Sequence, residues 1–244
     1  MSSKIQLEIA AFTIEGALIA EKAGANRIEL CENPNDGGTT PSFGTLKTVQ
    51  SLISIPVFPI IRPRGGNFVY STYEIEAIKN DIICCKELGY TGIVVGVLTS
   101  TGDIDFKLLH EFVQLASPME VTFHRAFDRC KNPSLALEQI IESGCTRILS
   151  SGQYPSVVNG ISLLSKLIEQ ANNRISIMPG SGVNSQNIAM LHTSIHAQEY
   201  HTAARIKTFH TDILSPETMN EQLSYVSVDA NEVAAICSIL NSME

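Results

Sequence analysis

Short runs of apolar residues recur along the chain, and between them lie longer stretches in which apolar positions return every three or four residues. The runs are IQLEIA at 5–10, RIELC at 27–31, VFPII at 57–61, GIVVGV at 92–97, EVTFH at 120–124, RILSS at 147–151, RISIMP at 174–179 and EYHTA at 199–203. Strands alternating with amphipathic helices form the βαβ pattern. Eight such units in series, with no long break in composition, predict an α/β chain closed into a TIM-type (β/α)8 barrel.

Local signals punctuate the same pattern. Ser71 with Glu74 reads as a capping box opening a helix that runs to Leu88, Asn132-Pro133 as an N-cap with proline in the first turn, and Asn184 as a cap for the helix after strand seven. Gly24, Gly89 and Gly144 stand where a helix needs a left-handed residue at its end. Gly24-Ala-Asn-Arg27-Ile28 before strand two is echoed by Gly144-Cys-Thr-Arg147-Ile148 before strand six, an offset of four units that half-barrel symmetry would produce. The barrel is expected over about 5–205, within a single domain. A C-terminal extension at 206–244 follows, in which Asp229 and Glu232 form a capping box for one more helix, EVAAICSIL. The stretch 206–228 is too long for a routine connection and reads as a lid, an interface arm or a poorly ordered segment.

At 244 residues and 44% hydrophobic residues, the chain can bury a full core without a metal or disulfide staple. A net charge of −8 disfavours nucleic acid and anionic membrane as partners. No run is long enough to span a bilayer, and the opening MSSKIQLEIA lacks the apolar core of a signal peptide, so a cytoplasmic location is expected. The six cysteines are dispersed without a C-x-x-C pair, and reduced thiols follow.

Candidate chemistry comes from polar residues on predicted strands. Strand parity turns Gln6, Glu8 and Ala10 inward on strand one, Arg27, Glu29 and Cys31 on strand two, Thr122 and His124 on strand five, and His201 and Ala203 on strand eight. Glu29, Arg62, His124 and His201 stand near strand C-termini, where such barrels keep their sites. If they converge with Glu8, a carboxylate or imidazole exchanges a proton while Arg62 steadies a charged ligand; His124 and Glu29 are the first acid/base candidates. The competing reading is a buried network in which the charges satisfy one another. After strand seven, Gly180-Ser181-Gly182 leads toward a helix and reads as an anion-binding turn, with Arg62 and Arg64 as further anion ligands. For Arg64 alone, a surface ion pair is the simpler account. Cys31, His124, Met178 and His201 are soft or borderline metal ligands that could meet at one barrel end. Cys84 and Cys85 lie on an apolar helix and read as core.

The segments RIELC, GGTTPSFG, IRPRGGNFVYS, VTFHRAFD, RILSSGQ, IMPGSGVN and EYHTAAR together resemble the CutC family, described as copper homeostasis proteins. The resemblance runs from strand one to Arg205. It implies a β/α barrel, a cytoplasmic location, and copper handling with Cu(I) bound through cysteine. This chain has Glu8-Ile9-Ala10 where similar members often have Glu-Val-Cys, so of the two implied copper ligands only Cys31 remains. Asn67, Ser181 and Ala203 also depart from the pattern. Two functions therefore stand as expectations: a CutC-like Cu(I)-binding protein, or a barrel enzyme acting on a small anionic or phosphorylated metabolite by acid/base chemistry. The partner is a small-molecule anion or a copper ion, and a homo-oligomer is expected. A scaffold role is a third possibility.

Overall fold

In the computed structural model, which describes residues 4–209, 218 and 223–243, eight parallel strands alternate with helices. The strands are β1 (Gln6–Ala11), β2 (Arg27–Leu30), β3 (Val57–Pro59), β4 (Gly92–Val95), β5 (Glu120–Phe123), β6 (Arg147–Ser150), β7 (Ser176–Pro179) and β8 (Glu199–Thr202). Each falls within, or one residue beyond, a run expected from the sequence. They form two four-stranded parallel sheets, ordered β3-β2-β1-β8 and β4-β5-β6-β7. A parallel bridge between Ile60 and Val94 joins the sheets at one seam, and β7 lies beside β8 at the other. The architecture is the expected (β/α)8 barrel type.

Alternation along the strands sorts the side chains. Ile9, Ile28, Leu30, Ile93, Val95, Val121 and Ile148 point outward and are buried under the helices, forming the main core. Those helices are α1 (Ile14–Lys22), α2 (Phe43–Leu52), α3 (Thr72–Glu87), α4 (Phe106–Ala116), α5 (Pro133–Ser143), α6 (Ile161–Ala171) and α7 (Ile188–Ile195). The second apolar cluster is small: Cys31, Phe58, Ile60 and Val94, with Phe12 packed against them. Much of the remaining barrel interior is ionic.

The capping box of Ser71 and Glu74 on α3, the Asn132 cap of α5 and the positive φ at Gly24, Gly89 and Gly144 all appear as the sequence implies. Cys85 is core and Cys84 half-buried on α3. Two caps differ. α7 starts at Ile188 with Asn187 at its N-cap, while Asn184 accepts hydrogen bonds from Gln186 N and Asn187 N in a turn that precedes the helix. Asp229 caps α8 (Ala230–Asn241), but the Glu232 side chain leaves the expected box and reaches Ser185.

The extension begins directly after β8. β9 (Arg205–Phe209) pairs antiparallel with β10 (Ser224–Val228), so the ends of the long connection form a ribbon. Residues 210–217 and 219–222 of that stretch lie outside the described residues. Asp229 N donates to Ala204 O at 2.7 Å, which seats α8 against the barrel end. Among the described residues no helix is long and apolar enough to cross a membrane.

Candidate functional site

The deepest ionic layer joins the two sheets. Arg27 on β2 donates to Glu8 on β1 and, through Nη2 at 2.5 Å, to Glu199 on β8. Arg147 on β6 donates through Nε to the same Glu199 oxygen at 2.5 Å and through Nη1 to Thr122 Oγ1 at 3.2 Å. Both guanidiniums face the Phe58 ring, at 5.2 and 5.6 Å from its centroid. Burial opposes charge on Glu199, but Arg147 and Arg27 hold its carboxyl below the ordinary range. The arginines of the two echoed Arg-Ile pairs thus share one carboxylate, one arginine from each sheet.

One layer toward the strand C-termini, Glu8, Glu29 and His201 come together. His201 Nε2 lies 2.8 Å from Glu29 Oε2 and 3.9 Å from Glu8 Oε1. Burial disfavours the imidazolium, yet the carboxylates of Glu29 and Glu8 raise the His201 pKa above its ordinary value. Glu8 Oε1 and His201 Nδ1 are buried without a hydrogen-bond partner. Gly180 makes room here, because a Cβ at that position would sit 3.2 Å from His201 Nδ1.

Above this layer opens a cavity of about 750 Å³. Its wall includes Glu29, Cys31, Arg62, His124, His201 and Arg205. Arg62 donates from Nη1 to the carbonyls of Asp36 and Gly38 and from Nη2 to that of Gly66, leaving buried Nε without a partner. The loop after β2 therefore clamps the guanidinium from one side and the loop after β3 from the other. His124 follows β5, and its Nδ1 accepts the Ala126 N–H at 3.1 Å, which places the ring proton on Nε2. That Nε2 is buried and unpartnered. Burial, assisted by Arg62, lowers the His124 pKa to about 3, so the ring is neutral at physiological pH. The Phe68 ring touches both groups, 5.0 Å from Arg62 Cζ and 4.9 Å from the His124 centroid.

Around the strand-seven turn, Ser181 and Gly182 line the cavity, both at positive φ. Ser181 Oγ donates to Pro155 O at 2.8 Å. The donors ahead of α7 are taken by the chain itself. Asn184 N meets Asn187 Oδ1, Ser185 N meets Glu232 Oε1 at 2.6 Å, and Gln186 N and Asn187 N meet Asn184 Oδ1.

Five of the residues expected from the sequence, Glu8, Glu29, Arg62, His124 and His201, thus line the mouth or lie just beneath it. Arg64 does not join them. Its Nε donates to Glu74 at 2.5 Å at the start of α3, with further bonds to nearby carbonyls, and it does not line this cavity. Sequence reasoning missed Arg147 and Glu199 as interior partners. Parity carries the signal for both: Glu199 precedes His201 by two on one strand, and Arg147 repeats Arg27.

For metals, Glu8, Glu29 and His201 offer ligand atoms within 4.8 Å of one another, a donor set suited to a divalent cation more than to Cu(I). The thiol side is poorer. Cys31 Sγ lines the cavity, but burial first, then Glu29 and Glu8, raise its pKa and keep it protonated. Ala10 stands opposite Glu29 in the β1–β2 register and brings no second thiol, while Met178 Sδ accepts from Arg27 Nη2 at 3.4 Å. These residues do not fit a two-thiolate Cu(I) centre.

Comparison with known proteins follows the same lines. A CutC family protein of Parabacteroides distasonis is 48% identical over 200 residues, covering 82% of this chain and 82% of its own. The human copper homeostasis protein cutC homolog is 45% identical over 199 residues, covering 82% of this chain and 73% of that protein. A solved CutC structure from Streptococcus agalactiae superposes with a TM-score of 0.78 at 33% identity, over 82% of this chain and 98% of that one. Phosphoribosylanthranilate isomerase of Thermotoga maritima shares the fold alone, with a TM-score of 0.60 at 10% identity over 98% and 99% of the two chains. The CutC family model matches residues 5–206, and the chain belongs to the CutC family.

Proposed function

We propose that the protein is a barrel enzyme that binds a small anionic metabolite in the mouth cavity and moves a proton on it. One observation carries the reading. Arg62 Nε, His124 Nε2 and His201 Nδ1 are buried polar atoms without a hydrogen-bond partner on residues that line this cavity, and Glu8 Oε1, beside His201 in the layer beneath, is in the same condition. An unmatched buried polar atom costs about 1–3 kcal/mol, so four together favour a ligand that completes them.

The roles follow from geometry. Arg62 and His124 are donors and hold the anion. Glu29 orients His201 through Nε2, leaving Nδ1 to exchange the proton, as a carboxylate orients an imidazole in other acid/base pairs. The acid/base role expected of His124 passes to His201, because a neutral ring whose Nδ1 is already engaged donates but does not shuttle protons. Ser181 and Gly182 line the cavity, whereas Gly180 lies outside its wall, packed against Leu149 and His201. A thermal-shift screen of carboxylated and phosphorylated metabolites should find a ligand that raises Tm by several degrees, with the effect gone in Arg62→Ala. A screen in which nothing stabilises the wild type would remove the reading.

A second reading, copper handling, draws on the name of the human relative and on Cys31 in the cavity wall. It needs donors beyond that thiol, with His201 the nearest in kind. Six free cysteines suit the reducing cytoplasm, and exposed Ile206, Phe209 and Leu223 beside the ribbon would favour assembly of copies. Competition with a Cu(I) chelator decides this reading: stoichiometric Cu(I) lost in Cys31→Ser supports it, and no retained Cu(I) in the wild type ends it.

A further inference from the structure

We infer that the anion bound in the mouth is a carboxylate rather than a phosphate ester; the inference rests on the anion-binding reading above and names the class of ligand. Phosphate in barrels of this type sits on loops after the seventh and eighth strands and at a helix N-terminus, where free backbone N–H groups face it. Here that place is filled by the chain's own side chains. The N–H groups of Asn184, Ser185, Gln186 and Asn187 all donate to side-chain oxygens, and Ile188 N donates to Asn184 O. The Ser185 hydroxyl also donates to Glu232, at 2.8 Å. A phosphate arriving there would meet the Glu232 carboxylate instead of a donor. Two anions in contact with one desolvated turn repel.

The side-chain donors left buried without a partner are of a different kind. Arg62 Nε–H and His124 Nε2–H are both buried, both unpartnered, and flank the same Phe68 ring. They give two directed N–H groups but only one positive charge. A carboxylate has two oxygens for two donors and carries one negative charge; a phosphate monoester near neutrality carries close to two and has three oxygens to satisfy. The rest of the wall adds no surplus of positive charge. Three carboxylates, Glu29, Asp229 and Glu232, offset the three guanidiniums of Arg62, Arg125 and Arg205, and Arg125 is further paired with Asp128. Gly96 is what lets His124 take its place, since a Cβ there would overlap the imidazole. The cavity exceeds a bare carboxylate many times over, so the acid carries a carbon skeleton of several atoms.

Titration calorimetry tests this with small probes: lactate, malate and α-ketoglutarate against inorganic phosphate and glycerol 3-phosphate. At least one carboxylate is expected to bind the wild type tenfold or more tighter than inorganic phosphate and glycerol 3-phosphate, and to weaken at least tenfold in Arg62→Ala and in His124→Phe. Glu232→Ala, which frees the Ser185 donors, is expected to raise affinity for inorganic phosphate above that of the wild type. Circular dichroism confirms folding of each variant, and Arg62→Lys, which keeps the charge without the Nε–H, replaces Arg62→Ala if that variant does not fold. Arg62-dependent binding of glycerol 3-phosphate as tight as any carboxylate overturns the inference and leaves the anion reading standing. Carboxylate binding indifferent to both Arg62 and His124 also overturns it. If neither class binds, the anion reading falls with it.

Discussion

His124 and Gly96 depend on each other. Any side chain at Gly96, just past β4, would run into the imidazole, and the His124 ring has Phe68 and Phe123 close by, so it has little room to retreat. Gly96→Ala is therefore expected to destabilise the fold by about 1–3 kcal/mol, the usual cost of overpacking, and to abolish ligand binding; urea denaturation and calorimetry read the two effects separately. Wild-type stability in the variant would show that the ring moves freely. At this scale the sequence is partly legible. Parity on strands one, two and eight is enough to turn Glu8, Glu29 and His201 inward together. It says nothing of which imidazole is neutral, because that depends on a backbone N–H at Ala126 and on burial, and neither is written in a two-residue alternation. Gly96 looks like an ordinary strand glycine until its neighbour is known.

Among the elements, α8 is the least barrel-like and has the most specific anchorage. Asp229 accepts from Asn231 N and Glu232 N at its start, while Glu232 leaves the helix to hold the turn before α7. Removing the cap with Asp229→Ala should cost about 1 kcal/mol, measured as a shift in the urea midpoint without a change in slope. A shift below a tenth of that would mean the helix is held by its buried face of Val233, Ile236 and Leu240 alone. The strands are readable because each is a short apolar run, and β2, β4, β6 and β7 also follow a glycine or asparagine turn. The strand-seven turn is not. Asn184 reads in sequence as the cap of the helix after strand seven and Glu232 as half of the last capping box, and only three-dimensional proximity across 47 residues brings the Glu232 carboxylate to Ser185. For the same reason the paired ends of 206–228 escape a periodicity argument: β9 is mostly exposed, β10 is buried only at Ser227 and Val228, and the two pair across a long stretch of sequence.

Across the whole molecule, the interior is organised around one shared carboxylate. Arg27 from one sheet and Arg147 from the other both end on Glu199 Oε2. Glu199→Ala should therefore cost about 3–5 kcal/mol, as does breaking a buried ion pair from one side, with chemical denaturation as the measurement; a loss under 1 kcal/mol would show that Glu8 and Glu120 suffice. Membership of the CutC family accounts for the barrel, and the sequence motifs that carry it are the strands and mouth loops themselves. Absence of a thiol at Ala10 is legible directly, whereas the ionic pairing beneath the mouth is not, since it joins positions 52 and 172 residues apart.

The shared carboxylate also has a bearing on how the chain is made. Glu199 belongs to the last barrel strand, so during synthesis Arg27 with Glu8 and Arg147 with Glu120 are present before the carboxylate they share. Until β8 leaves the ribosome, a collapsed seven-stranded intermediate would hold the two guanidiniums facing one aromatic ring without the group that joins them. Premature closure is thereby discouraged, and docking of the final strand becomes the step that commits the barrel, a safeguard against the compact partly folded states to which chains of this size are prone.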